Sequence, residues 1–222
     1  MIEVCTVWAP RPGSEQWRAD YLEMLDCQKQ SVEKFGYMHT VVTDDYSLGW
    51  RYNTLPVTLP QELMPAMIAG VVQRLIRPVL THIIFVDVDV LVNRACEEVF
   101  DGTFDLGLTH RSNHVSPVNN GVMYMDVTGG PGSLRFFEHA LSICKTHWGG
   151  DQEAISEAAA PVPDGLVTED RDGFRIRFMG MKKYGSVPKV RGMRHKEAYC
   201  VHFKGETKKW MVEYCRTHIT WS

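Results

Sequence analysis

The sequence predicts an α/β fold in a single domain, with a mostly parallel central sheet flanked by helices. Three observations carry this. The first 45 residues read strand, helix, strand, which is the order of a parallel unit. The apolar run "THIIFVDVDVLVN" (81–93) is nearly continuous, as in a strand covered on both faces. At 222 residues, 44% hydrophobic and 23% charged, the chain is long enough to bury one sizeable core without staples.

The elements follow in order. "IEVCTVWAP" is a short apolar strand ending at the Pro-Gly loop "PRPGS". Trp17, Tyr21, Met24, Leu25, Val32 and Phe35 then recur at three- and four-residue steps, the stripe of a helix that stops at Gly36. "HTVVTDD" is the second strand, and "YSLGWRYNTLPVTLP" (46–60) reads as a loop near the ligand edge of the sheet. A helix over about 61–76 carries Leu63, Met64, Met67, Ile68, Val71, Val72 and Leu75 on one face, a core stripe and not a cofactor site. After the 81–93 run come two strands, "FDLGLTH" and "NGVMYMD", and a helix over about 132–148 with Leu134, Phe137, Leu141 and Cys144. "GGDQEAISEAAA" opens another helix. From Pro161 the texture changes to turns and short strands, and "AYCVHFKGETKKWMVEYCRTH" closes the chain with a strand, a turn and an amphipathic segment.

Composition excludes several classes. The six cysteines (Cys5, Cys27, Cys96, Cys144, Cys200, Cys215) are scattered with no C-x-x-C spacing, so they read as reduced core thiols and not as a zinc or redox site. No stretch approaches the length of a membrane span, and "MIEVCTVWAP" lacks a basic region followed by an apolar one. The expectation is a cytoplasmic protein without signal peptide or anchor. The net charge of −3 conceals an asymmetry: residues 171–222 hold 13 Lys and Arg against 4 acids, and the preceding 170 hold 11 against 23. A basic C-terminal segment is either a solvated face or a sink for phosphate.

Asp87 and Asp89 interrupt the longest apolar run. On a strand, residues two apart share a face, so the two carboxylates point the same way while Val86, Val88 and Val90 point the other. Two buried like charges repel and lose solvation, which calls for a cation, and a divalent metal with oxygen ligands is the economical one. The alternative is that the strand ends at Val86 and both acids are solvated loop residues.

Four motifs bear on this choice: "FVDVDVLV" (85–92), "NNGVMYMD" (119–126), "GGDQEAIS" (149–156) and "HFKGETKKW" (202–210). In this order they resemble the F-x-D-x-D-x-L-V, N-S-G-V, G-D-Q and H-F-x-G-x-x-K-P-W motifs of the GT-A nucleotide-sugar glycosyltransferases, in particular the group containing glycogenin and the bacterial lipopolysaccharide glucosyl- and galactosyltransferases. The first 80 residues match only in their strand-helix-strand plan. The resemblance implies one GT-A, Rossmann-like domain over 1–222. Its nucleotide-binding half, 1–100, ends in the D-x-D. Its donor-sugar and acceptor half, 101–222, carries a small metal-binding C-terminal extension.

The resemblance also implies roles. Asp87, Asp89 and His202 would hold the metal, Mn²⁺ or Mg²⁺, with the imidazole favouring Mn²⁺. Val88 lies within the same nucleotide-binding motif. Gly205 would let the backbone approach the diphosphate, and Lys208 would place a charge on it. Asn119, Asp151 and Gln152 would serve the donor sugar and the chemistry, while Thr6, Val7 and Trp8 would hold the base and ribose by position alone. On their own, Asp151 is also a helix N-cap candidate and Asn119-Asn120-Gly121 a tight-turn candidate. Asn120 and Lys209 depart from the family's small residue and Pro. The basic residue the family carries before the D-x-D is replaced by Val71 in simple register, with Arg74 or Arg77 as substitutes.

The expected function is metal-dependent transfer of a sugar from a nucleoside diphosphate sugar, UDP-linked, to an acceptor that is a glycan, a small molecule, a protein or modified nucleic acid, with retention at the anomeric carbon. A sugar nucleotidyltransferase would need a Gly-rich basic phosphate loop after the first strand, which "WAPRPGSEQ" does not supply. A non-catalytic nucleotide-sugar-binding module is the other alternative, and the intact set Asp87, Asp89, His202 and Lys208 speaks against it. A zinc site on His110 and His114 is disfavoured by the poor helical character of "HRSNHVSP".

Overall fold

The computed structural model describes residues 1–10, 18–77, 82–111, 114, 116–126, 132–163, 166–171 and 173–219. Trp17 and Thr81, assigned above to a helix and a strand, lie outside them. In chain order the elements are β1 (Ile2–Trp8), α1 (Arg18–Glu33), β2 (Met38–Thr43), β3 (Thr54–Pro56), α2 (Leu63–Leu75), β4 (His82–Val86), β5 (Val90–Val92), β6 (Leu106–His110), β7 (Val118–Met125), α3 (Gly132–Ile143), α4 (Gly150–Ala158), β8 (Thr168–Arg171), β9 (Phe174–Gly180), α5 (Met181–Tyr184), β10 (Cys200–His202) and α6 (Met211–Tyr214).

Eight strands form one sheet in the order β3-β2-β1-β4-β7-β6-β9-β8, and β10 pairs with β5 in a second, two-stranded sheet. The large sheet is mixed. β1 runs parallel to β2 and β4, β2 to β3, and β6 to β9, whereas β7 is antiparallel to both β4 and β6, and β8 to β9. The expectation of a mostly parallel sheet holds for the β3-β2-β1-β4 half. It weakens where β7 enters, because its "NNGVMYMD" stretch returns from β6 without a helical crossover.

Both faces of the central strands are covered, which explains their continuous apolarity. Cys5, Val7, Ile83, Phe85, Met123 and Met125 pack on one face under α2, α3 and α4. Ile2, Val4, Ile84, Val86, Val122 and Tyr124 pack on the other, against Val32, Tyr199, Cys200 and β5. A third cluster joins α1 to the C-terminal segment through Met24, Leu91, Phe203, Met211 and Tyr214. All six cysteines are unpaired and five are buried, as the sequence leads one to expect.

The 81–93 run corrects the single-strand expectation. It is two strands in two sheets, β4 in the large one and β5 in the small one, separated by a turn at 87–89 closed by Val90 N–H donating to the Asp87 carbonyl at 3.1 Å. Hydrophobic periodicity continues across the break because Val86 and Val90 enter the same cluster. The loop expected over 46–60 contains the short edge strand β3, and the helix expected over 132–148 ends at Ile143. "NNG" is not a turn but part of β7.

One buried ion pair ties α2 to the sheet. Arg74 Nε donates to Glu3 Oε1 at 3.0 Å, and a second guanidinium nitrogen reaches Oε2, with both residues almost fully enclosed. Burial would raise the Glu3 carboxyl, but Arg74 outweighs it and holds the group below its ordinary value. Arg74 is thereby committed at the end of β1 opposite the D-x-D turn, so it does not supply the basic residue sought before that motif. Arg74→Met leaves the Glu3 carboxylate buried without a counter-charge and should cost about 3 to 5 kcal/mol in urea unfolding. The double change Glu3→Leu with Arg74→Met should recover most of that loss. Equal destabilisation of the single and double variants would contradict this account of the pair.

Candidate metal centre and nucleotide-sugar site

The parallel strands β1 and β4 end at the same edge, and the 87–89 turn stands there. Four backbone and amide contacts fix it. Asp87 N–H donates to the Gly121 carbonyl of β7 at 3.0 Å, and Phe203 N–H donates to the Asp89 carbonyl at 2.8 Å. Gln28 of α1 donates its amide to the Asp87 carbonyl at 2.7 Å and to the Val90 carbonyl at 3.0 Å. The Gln28 carbonyl oxygen accepts from Thr6 Oγ1 at 2.5 Å and lies 2.9 Å from His39 Nε2. Burial pushes His39 down to about 4, so its ring is neutral at physiological pH and lies close to the Gln28 oxygen.

This turn brings the two carboxylates together with His202 from β10. His202 Nε2 lies 3.5 Å from Asp87 Oδ2 and 3.1 Å from Asp89 Oδ1, and one ligand atom from each residue falls within 4.8 Å of the others. His202 is 1% exposed and Asp89 4%, while the Asp87 side chain keeps 36% open, which gives the cluster one accessible side. Gly121 explains how the ring fits: a Cβ there would come within 2.0 Å of His202 Cε1 and 2.8 Å of Asp87 Oδ2. The glycine of "NNG" is thus required by close approach of the histidine.

The electrostatics favour a cation. Burial, with the charges of Asp89 and Asp151 adding to it and His202 opposing, pushes the Asp87 carboxyl up to about 6. Burial acts on Asp89 as well, but His202 and Lys208 outweigh it and hold that carboxyl low. His202 Nδ1 is buried without a hydrogen-bond partner among the described residues, and Asp89 Oδ1, also buried, has only the His202 ring beside it. Two carboxylates and one imidazole, mostly buried and converging within 4.8 Å, fit a divalent ion of the Mn²⁺ type.

Around the cluster the other expected residues take definite places. Lys208 Nζ binds Asp89 Oδ2 at 2.9 Å and donates to Tyr21 Oη of α1 at 3.3 Å. Gly205 adopts φ +52 at the start of the 3₁₀ turn Gly205–Trp210, with nothing near its missing Cβ, so its backbone conformation is what calls for glycine. Asn119 is fully buried in β7, and Asp151 sits in the first turn of α4, where burial raises its carboxyl and Asn120 Nδ2 donates to it at 2.6 Å. Gln152, half-buried, follows it on α4. A cleft lined by Val7, Val71, Asp87, Asn120, Asp151 and Ile155 lies between them. Trp8 packs edge-on against Tyr21, and Val88 packs nearby. The Thr6 hydroxyl is committed to Gln28. His110 ends β6, and His114 Nδ1 accepts from the Ser116 backbone.

Sequence reasoning missed Gln28, Tyr21, Asn120 and Lys204. Lys204 Nζ donates to Asn119 Oδ1 at 2.5 Å. It stood inside the "HFKGETKKW" motif at a position the family pattern leaves open. Gln28 was visible as a polar residue within the apolar stripe of α1, between Leu25 and Val32, which is a signal for a buried hydrogen-bonded group.

No protein-family profile matches the chain, and no curated protein matches it in sequence. Solved structures do. A glycosyltransferase involved in glycosylation of the major capsid of PBCV-1 superposes with a TM-score of 0.63 at 14% identity, covering 97% of this chain and 98% of that one. The galactosyltransferase LgtC in complex with donor and acceptor sugar analogs gives 0.55 at 11%, covering 99% and 97%. The glycosyltransferase GlyE of Streptococcus pneumoniae TIGR4 gives 0.61 at 10%, covering 99% of this chain and 60% of that one. The chain has the GT-A fold. Among the described residues no helix is long and apolar enough to cross a membrane.

Because the Asp87 carboxyl is raised in the folded state, the metal-free fold loses stability as pH rises through about 6. Asp87→Asn should therefore raise the melting temperature of metal-free protein at pH 7.5, with the gain shrinking toward pH 4.5, where Asp87 is protonated anyway. The same variant should lose any Mn²⁺-induced shift. A gain that is unchanged across this pH range would rule out the Asp87 carboxylate as its cause.

Proposed function

We propose that this chain is a metal-dependent glycosyltransferase that moves a sugar from a UDP-linked donor to an acceptor. The observation that carries the reading is the closed set Asp87, Asp89 and His202 at the strand edge of a fold shared with glycosyltransferases. The charge that grows on the leaving diphosphate is the main barrier to such a transfer, and a bound Mn²⁺ or Mg²⁺ would stabilise it as a Lewis acid.

The chain's own residues have distinct tasks in this reading. Lys208, which contacts Asp89 and Tyr21, adds a positive charge to the diphosphate in this reading. Gly205 lets its backbone N–H approach the same group. Asn119, Asp151 and Gln152 bind and orient the donor sugar, and the raised Asp151 carboxyl stands on the rim of the cleft, beside the anomeric carbon in this reading. Thr6, Val7 and Trp8 close the nucleotide end, with Thr6 acting through Gln28. The family resemblance implies retention of the anomeric configuration.

Incubation with a UDP-sugar and Mn²⁺ should release UDP slowly even without acceptor, since water intercepts an activated donor. Silence across UDP-, GDP-, CDP- and TDP-sugars, with acceptor libraries also inert, would instead indicate a binding module.

Lys208→Ala should weaken UDP by roughly 10- to 100-fold at saturating Mn²⁺ while leaving uridine, which has no phosphate, unchanged in calorimetric titration. Equal weakening of both would mean that the segment is a structural element only.

A further inference from the structure

Two cations near the cleft have no acid of their own. Arg111 follows the last residue of β6, at the same sheet edge as the D-x-D turn, because β6 runs in the direction of β1 and β4. Its backbone N–H donates to the Pro117 carbonyl at 2.7 Å and one guanidinium nitrogen to the Ser116 carbonyl at 3.0 Å. Its Nε is buried with no partner among the described residues. Lys204 comes from the opposite direction, following β10, and spends its ammonium on the neutral side-chain oxygen of Asn119. Asn119 pairs with Thr109, two residues before Arg111, and the Thr109 hydroxyl donates to the Asn119 carbonyl at 2.6 Å. The β6–β7 register and the bond from Lys204 to Asn119 therefore set both cations on the Asn119 side of the cluster.

A cation with no directly bonded carboxylate is the unusual feature. Among the described residues neither Arg111 nor Lys204 forms an ion pair with a carboxylate, whereas Lys208 does. Burial alone depresses the Arg111 guanidinium. Half-buried cations that pay desolvation with only neutral oxygens as partners are suited to receive an anion from outside. Arg111 offers a free N–H direction, and the Lys204 ammonium, with three N–H donors, can keep its bond to Asn119 and still offer another to an anion.

We propose that Arg111 and Lys204 form an anion subsite beside the donor-sugar residues, for a carboxylate or phosphate group carried by the transferred sugar or by the acceptor. This rests on the glycosyltransferase reading above and narrows its substrate class to acidic sugars.

Calorimetric titration in the presence of Mn²⁺ tests it with two arms. In the donor arm, UDP, UDP-galactose and UDP-galacturonic acid are compared. In the acceptor arm, galactose, galacturonic acid and galactose 6-phosphate are titrated into protein already saturated with UDP. The expected result is that an acidic sugar binds about tenfold or more tightly than its neutral counterpart in one arm, which identifies the source. Arg111→Met should abolish that preference while UDP affinity stays within about twofold, and Lys204→Met should abolish it as well. Acidic and neutral sugars binding alike in both arms, with UDP still bound, would overturn the subsite and leave the glycosyltransferase reading standing. Failure of UDP itself to bind with Mn²⁺ would overturn both.

Discussion

The site depends on how the chain leaves one sheet and enters another at Asp87. Had β4 continued as one strand into β5, its acids would have faced a helix layer, and the cost of burying them would have been prohibitive. The turn at 87–89 instead carries both carboxylates to the sheet edge, and β5 then pairs with β10, which delivers His202. The same backbone break thus creates the acidic pair and recruits its third partner from 113 residues further along the chain.

Holding such a turn requires polar contacts that do not compete with the cluster. Gln28 supplies two of them through its amide, and its own oxygen is engaged by Thr6 and approached by the neutral His39. A satisfied amide in an apolar layer is rigid, since breaking any one bond leaves a buried group unpaired. Gly121 completes the frame by leaving room for the His202 ring. The candidate ligand atoms are therefore positioned by residues from α1, β1, β2 and β7, none of which belongs to the cluster itself. Such support is what sets affinity at a metal site beyond the identity of the ligands.

Much of this was legible in the sequence, for an identifiable reason. Asp87, Asp89, His202 and Lys208 are charged or ionisable residues at fixed spacings in apolar surroundings, so local pattern exposes them. The two readings offered for the acids were each half right. The strand does end at Val86, yet Asp89 is buried, and the side chains converge through a turn and not through strand alternation. The split between sheets left no trace because Val86 and Val90 serve one apolar cluster. The antiparallel return of β7 and the true reason for Gly121 were equally hidden, since both depend on a neighbour distant in sequence. Arg74 looked available for the site by its place in α2, and only the fold shows it spent on Glu3.

The central claim is that the D-x-D turn and His202 form one metal centre that holds the diphosphate. Anomalous diffraction from crystals grown with Mn²⁺ and UDP measures this directly. The account predicts a manganese peak bonded to Asp87, Asp89 and His202, with both phosphates in contact with it. A peak elsewhere, or UDP bound at this edge with His202 remote from the ion, would contradict it.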